Sequence, residues 1–360
     1  MSDIKRVVTI AGARPQFVKA FALSRAFAGA PDFEEILIHT GQHFDENMSA
    51  VFFDELGIPQ PKYHFRIEPG GRPALPQMLR NVGKAIAAEV PDAVVVYGDT
   101  DSTLAGALAA SRARIPLVHI EAGMRSFNRR MPEEANRTVT DHLSQILFCV
   151  TATAAENLAR EGIDRNVHLV GDLMYDATLL ASDIAERRSG ILQKLSLAPK
   201  GYAVATVHRA GNTDETEVLN RVLDFIAGEA RKQPVVFPIH PRTARAAAEA
   251  GIDVGRSGAT IIEPLGYLAM CRLVHNANLV LTDSGGLQKE AYFHRVPCVT
   301  LRDETEWVET IECGWNRLWT EPRYRDRREI ADFGDGQSAT HILDHLRSGL
   351  RVQGQTQATS

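Results

Sequence analysis

Residues 93–143 read AVVVYGDTDSTLAGALAASRARIPLVHIEAGMRSFNRRMPEEANRTVTDHL. The apolar run 93–97 has the continuous character of a buried strand and leads into Gly98-Asp99-Thr100. A small-residue helix pattern follows over 104–112. A second apolar run, 116–120, then leads to a helix over 133–143, opened by Pro132 where a first helical turn accepts proline. Strands separated by helices build a parallel, doubly wound sheet. In such sheets ligands bind outside the carboxyl ends of the strands. This stretch puts its acids there: Asp99 after the first strand, Glu121 after the second, Glu133 and Glu134 in the helix start, with Arg125 and Arg137 among them. Carboxylates and arginines so delivered predict acid/base chemistry on an anionic substrate. The alternative is a solvated helix start rich in ion pairs.

The same alternation extends outward. Before the stretch come strands at 6–11 and 35–39 and helices at 17–27 and 75–89; after it come short strands at 146–150 and 167–170. A polar helical connector ends at Ala198-Pro199-Lys200-Gly201. Strands at 203–207, 235–239, 260–262, 279–282 and 298–301 follow, with helices between. The expectation is an α/β chain of two doubly wound Rossmann-like domains facing a cleft. The first spans 1–175, the connector 176–200, the second 201–345, and a polar tail 346–360. A cleft between two such domains is the default place for a ligand.

Composition narrows the function. The 360 residues are 44% hydrophobic and 24% charged, with a formal net charge of −5. That is a globular balance, without the basic footprint of a nucleic-acid binder. No apolar run is long enough to span a bilayer, and Met1 leads straight into a strand with no signal peptide, so a cytoplasmic protein is expected. Cys149, Cys271, Cys298 and Cys313 are scattered, with no CxxC pair, and read as reduced thiols.

Two further places carry chemistry. Strand 279–282 feeds Asp283-Ser284-Gly285-Gly286 and a helix. Glycines let the backbone approach a ligand, and the free amides of a helix start attract an anion. A diphosphate is the natural guest, with Ser284 as a further donor and Glu290 within reach of ribose hydroxyls; the alternative is a plain strand–helix turn. The first-half counterpart, Gly12-Ala13-Arg14-Pro15, is not GxGxxG, which argues against a dinucleotide cofactor. His208-Arg209 and His240-Pro241-Arg242 each follow a strand, an arrangement suited to gripping phosphate oxygens. Neither has metal-ligand spacing, so no metal is expected. In the acidic helix, Glu133 and Arg137 lie four apart and share a face. Glu133 is therefore placed in the cleft, held by Arg137, and Glu134 is left as a helix-start charge. Asp99 and Glu121 can converge with Glu133, and three mutually repelling carboxylates should raise the pKa of at least one.

Together the motifs resemble the non-hydrolysing UDP-N-acetylglucosamine 2-epimerase family. The collinear matches are GARPQFVKA at Gly12, TGQHFDENM at Thr40, YGDTDSTLAGALAA at Tyr97, HIEAGMRS at His119, PEEANR at Pro132 and VGDLMYDA at Val170. HRAGNTD at His208, IHP at Ile239, LTDSGGLQKEA at Leu281 and LRDETEWVE at Leu301 continue them across both halves. The resemblance implies a GT-B-like fold whose last helix packs back on the first domain. It implies a UDP-sugar isomerase that works by anti-elimination of UDP to a 2-acetamidoglucal and re-addition, with no cofactor, as a homodimer supplying surface polysaccharide. It further implies Asp99, Glu121 and Glu133 as acid/base residues, His208 as the catalytic histidine, and Lys19, Arg14 and Arg137 as essential basic groups. Gln42, His43, Arg209, His240, Met270, Ser284, Gly285, Gly286, Glu290 and Arg302 fall on its substrate and UDP contacts.

Three segments depart from the family pattern. EPLGYLAM places Met270 where many members carry an aromatic ring. SFNRRMPEE is a short loop without the usual tryptophan. The region 68–77 lacks the Arg-Gln element of an allosteric substrate site. The short loop, with GDLMYDA and LRDETEWVE, is similar to the branch acting on UDP-2,3-diacetamido-2,3-dideoxy-glucuronate. There Arg129 or Arg130 could face the uronate carboxylate, the alternative being two exposed loop arginines. A hydrolysing epimerase, a GT-B glycosyltransferase and a non-catalytic nucleotide-sugar sensor are the competing readings.

Overall fold

A computed structural model describes residues 4–42, 53, 55–67 and 74–356, the last six as backbone only. The chain divides into two units, Met1–Ala177 with Ala331–Ser360, and Thr178–Ile330.

In the first unit the elements are β1 Lys5–Ala11, α1 Arg14–Ala28, β2 Phe33–His39, β3 Tyr63–His64, α2 Ala74–Glu89, β4 Ala93–Tyr97 and α3 Asp101–Ala113. They continue with β5 Leu117–Ile120, α4 Pro132–Leu143, β6 Ile146–Cys149, α5 Ala152–Arg160 and β7 Val167–Leu169. The strands form one seven-stranded sheet in the order β3-β2-β1-β4-β5-β6-β7, and each pairing is parallel. Strands covered on both faces read as continuous apolar runs, because each residue meets a helix on one side or the other. Val8, Ile10, Ile36, Ile38, Val94 and Val96 are buried with Val82 and Ile86 of α2 and Ala107 and Ala110 of α3. Each such aliphatic side chain contributes about 1.5–3 kcal/mol relative to exposure. Strand order reverses between β1 and β4, the switch point at which doubly wound sheets bind ligands.

Helix α6 Leu173–Arg188 carries the chain out of this unit. The second unit contains α7 Ile191–Lys194, β8 Ala203–Thr206, α8 Ala210–Thr213, α9 Thr216–Ala230, β9 Val235–Pro238, α10 Pro241–Glu249 and β10 Thr260–Ile262. It closes with α11 Tyr267–His275, β11 Leu279–Thr282, α12 Gly285–Phe293, β12 Cys298–Thr300, α13 Val308–Glu312 and β13 Asn316–Leu318. Its parallel sheet runs β10-β9-β8-β11-β12-β13, with the reversal between β8 and β11.

The last helix, α14 Ser338–Thr356, belongs to the first unit. The sequence boundary at 345 therefore falls inside it, and the second unit begins at Thr178 rather than after a separate connector. Local contacts explain the return. Asp176 Oδ1 and Oδ2 accept from the Ser338 and Ala339 amides at 3.1 and 2.8 Å, satisfying the helix start. The Arg347 guanidinium donates to both oxygens of Asp32 at 2.8 and 3.1 Å. No helix among the described residues is long and apolar enough to cross a membrane.

Candidate functional site

The first unit brings four of the expected residues together at its switch point. The β1–α1 turn is fixed by Gln16, whose Oε1 accepts from the Gly12 and Ala13 amides at 2.8 and 3.1 Å while its Nε2 donates to the Tyr97 carbonyl at 2.9 Å. A Cβ at Gly12 would overlap the hydroxyls of Thr40 and Ser102, so only glycine lets these loops meet. Gln42 Oε1 accepts from the Ser102 amide at 3.0 Å, against the start of α3. Arg14 opens α1. His43 lies outside the described residues.

Lys19, buried on α1, pairs with Glu121 at the end of β5. Burial pulls the Lys19 ammonium down, but Glu121, Asp172 and Asp99 outweigh it and leave its pKa raised. Glu121 sits at φ +70°, a left-handed conformation that costs a non-glycine residue about 1–3 kcal/mol and clusters at functional sites. Gly98 leaves room for the pair: a Cβ there would lie 3.1 Å from Glu121 Oε2 and 3.9 Å from Lys19 Nζ. Asp99 follows, and Arg137 Nη2 donates to its Oδ2 at 2.5 Å. Burial raises the Asp99 pKa; Arg137 and Lys19 oppose this while the Glu121 charge adds to it. The rise on Asp99 thus comes first from burial, with Glu121 adding to it, rather than from three converging carboxylates.

Arg137 corrects the sequence-derived pairing. Its Nη1 donates to Glu134 Oε2 at 3.1 Å, and Glu133 is exposed on the first turn of α4. Glu134 is buried because it also accepts from the Ser126 and Phe127 amides, both at 2.9 Å. Burial pushes its pKa up, but those amides and Arg137 prevail and hold it below the usual range. Arg125, grouped with the substrate-facing arginines in the sequence, is engaged elsewhere: it pairs with Asp141 at 2.7 Å and with both oxygens of Glu161 at 2.7 Å. Asp141 in turn meets His119 Nδ1 at 2.6 Å, while His119 Nε2 lies 2.7 Å from the Gly98 carbonyl. His119 and Asp141 were not singled out by motif reading. Their signal is a polar residue inside an apolar strand and an acid two turns along the neighbouring helix.

The second unit assembles the expected anion-binding groups at its own switch point. Asp283, fully buried after β11, accepts from the His208 and Arg209 amides at 2.9 Å each and from Asn212 Nδ2 at 3.1 Å. His208 Nδ1 lies 3.2 Å from Asp283 Oδ1, and the His208 ring centroid is 5.3 Å from that of His240. Ser284 caps α12 through its Oγ, accepting from the Leu287 amide at 3.4 Å; Gly285 and Gly286 form the helix start. Glu290 lies buried one turn on. Glu306 joins two of the predicted arginines, accepting from Arg209 Nη2 at 3.1 Å and Arg302 Nη1 at 2.8 Å. Met270 packs, partly buried, against the core of this unit. A cavity of about 380 Å³ lies at the ends of β9 and β10, lined by Ile239, Ile261, Ile262, Leu265, Ile191 and Lys194 with other residues. Among the described residues no group of three or more His, Cys, Asp or Glu is placed to hold a metal. Asp283 and Glu306 lie within quoted motifs, but only the fold shows what they hold.

Comparison with known proteins places the whole chain beside one family. A family model described as UDP-N-acetylglucosamine 2-epimerase matches residues 25–347. The chain is 45% identical to a UDP-N-acetylglucosamine 2-epimerase homolog of Methanococcus maripaludis, over 95% of this chain and 99% of the relative. It is 46% identical to the UDP-2,3-diacetamido-2,3-dideoxy-D-glucuronate 2-epimerase of Pseudomonas aeruginosa, with the same two coverages. The crystal structure of Methanocaldococcus jannaschii UDP-GlcNAc 2-epimerase, in complex with UDP-GlcNAc and UDP, superposes with a TM-score of 0.83. It is 39% identical and covers 95% of this chain and 99% of that one.

Proposed function

Because the chain belongs to the UDP-N-acetylglucosamine 2-epimerase family, we propose that it interconverts UDP-N-acetylglucosamine and UDP-N-acetylmannosamine. The observation that carries this is the part-buried Asp99–Arg137 and Glu121–Lys19 pairs at one switch point. The reaction breaks the C1–O bond to UDP and removes the C2 proton, giving 2-acetamidoglucal. UDP then adds back while a proton is delivered to the other face of C2. C2–H is barely acidic, so departure of a well-held diphosphate has to accompany proton removal. In this scheme Asp99, Glu121 and Glu133 move the protons. Lys19 and Arg137 hold two of them in place. Asp99, whose pKa is raised, is the member best able to carry a proton. His208, Arg209, Arg302 and the Ser284-Gly285-Gly286 turn take the diphosphate, with Arg14, Gln42 and His240 beside the sugar nucleotide. Glu290 takes the ribose. The cavity of the second unit, lined by isoleucines and leucines with Lys194 and Glu263, suits a pyrimidine nucleoside by size. We assign no cofactor, a cytoplasmic location and a homodimer.

The test is proton NMR of the purified protein with UDP-N-acetylglucosamine in deuterated buffer. The expected result is a C2-deuterated mixture of the two epimers. An unchanged substrate rejects this sugar. A second reading, epimerisation of the UDP-diacetamido-glucuronate, is favoured by the 46% identical relative of that name and by exposed Arg129 and Arg130 in the short loop. Deuterium incorporation into that sugar alone would select it.

A further inference from the structure

In the second unit two guanidiniums meet on a carboxylate that the chain itself supplies, beside the start of α12. Glu306 Oε1 accepts from Arg209 and its Oε2 from Arg302. A Cβ built at Gly285, the first residue of α12, would overlap Glu306 Oε1, so the same oxygen packs against the first residue of that helix. Helix starts and guanidinium forks are the groups that proteins use to take phosphate oxygens. The neighbouring Trp307 fixes the segment: its indole carries Lys289 Nζ over the ring at 3.8 Å, and its Nε1 is 3.2 Å from the same built Cβ. Burial pushes the Glu306 carboxyl up, but Arg302 and Arg209 prevail and hold it below the usual carboxylate range, charged at neutral pH.

We propose that Glu306 is an internal counter-anion of the diphosphate site. It fills the Arg209 and Arg302 donors beside the start of α12 when nucleotide is absent and yields them to the diphosphate, so UDP binds by exchange of one anion for another. This rests on the reading that these donors take a diphosphate. The consequence is a tuned grip. The trio carries one net positive charge with Glu306 ionised and two without it. UDP must stay bound while the glycal is free, yet the epimerised product must leave. A carboxylate competing for the same guanidiniums shortens residence without removing the donors.

The experiment is calorimetric titration of the full chain and its Glu306→Gln variant with UDP and, separately, with uridine, at two salt concentrations. The expected result is UDP binding on the order of tenfold tighter in the variant. Its salt dependence should steepen while uridine affinity stays unchanged, and KM and kcat should fall together as product release slows. UDP binding that is unchanged or weaker in a folded Glu306→Gln variant overturns the proposal. If that variant does not fold, Glu306→Asp, too short to reach both arginines, decides in the same way: tighter UDP supports the exchange, anything else ends it. Wild-type protein that fails to bind UDP at all would instead overturn the diphosphate reading, and this inference with it.

Discussion

Glu133 and Glu134 are chemically identical neighbours that the fold treats differently. Glu134 accepts from two loop amides and from Arg137, so it ties the loop after β5 to α4. Glu133, one position earlier, is exposed. Glu134→Ala should therefore leave buried donors unpaired and cost about 1–3 kcal/mol of stability, whereas Glu133→Gln should melt like the parent and lose about 10²–10⁴-fold in turnover. Thermal melts beside the exchange assay separate the two; a fully active Glu133→Gln would remove that residue from the acid/base set. Asp99 makes a second prediction. Its pKa is raised mainly by burial, against the pull of Arg137. The limb of the kcat/KM profile that Asp99 governs should thus lie above the ordinary aspartate value of about 3.9. Arg137→Met, which removes the opposing charge, should move that limb further up. A pH–rate profile whose limbs do not shift would exclude Asp99 as a titrating participant.

At the scale of elements, the turns after β1, β4, β5, β8 and β11 hold residues proposed to carry the chemistry, and α12 shows how tightly one is built. Gly285 leaves room for the Glu306 carboxylate. Gly285→Ala should press first on the Glu306 carboxylate, whose Oε1 its Cβ would overlap, so UDP binding should tighten while uridine binding changes little; weaker or equal UDP affinity would show that this carboxylate does not compete for the site. The same turns explain what could be read in advance. Strands such as Ala93–Tyr97 and Leu279–Thr282 were legible because burial on both faces leaves an unbroken apolar run. Tyr63–His64 and Asn316–Leu318 were not, since two- or three-residue edge strands with polar members carry no such pattern. Asp99 and Glu121 were legible because topology puts strand ends at the switch point. The Glu133–Arg137 pairing failed because spacing along a helix ignores loop amides that recruit the neighbouring acid.

The whole molecule depends on contacts distant in sequence, and the return of α14 was not legible as a boundary for that reason. Arg347 meets Asp32, the Asp172 amide donates to the Phe333 carbonyl at 3.0 Å, and Asp176 caps the helix start. A chain ending at Ile330 should lose cooperative unfolding of its first unit, seen as early proteolysis within 4–177; protease resistance equal to the full chain would make α14 an accessory. Global stability should also carry the mark of one partly buried acid. Glu35 lies on β2, and burial pushes its pKa up to about 7, with the Ser24 and Thr9 hydroxyls pulling the other way. A carboxyl raised in the folded state binds its proton more tightly there than in the unfolded chain. Its contribution is therefore complete below about pH 4.5 and is lost as pH rises through about 7. The loss should amount to roughly 2–3 kcal/mol between pH 5 and 8, since each tenfold difference in proton affinity between the folded and unfolded chain is worth about 1.4 kcal/mol and the group is not wholly shielded. Glu35→Gln has no proton to lose, so its stability relative to wild type should climb across that window. Urea unfolding of both proteins at pH 5, 6.5 and 8 measures the difference; parallel curves would mean that Glu35 stays solvated and ionised in the folded protein.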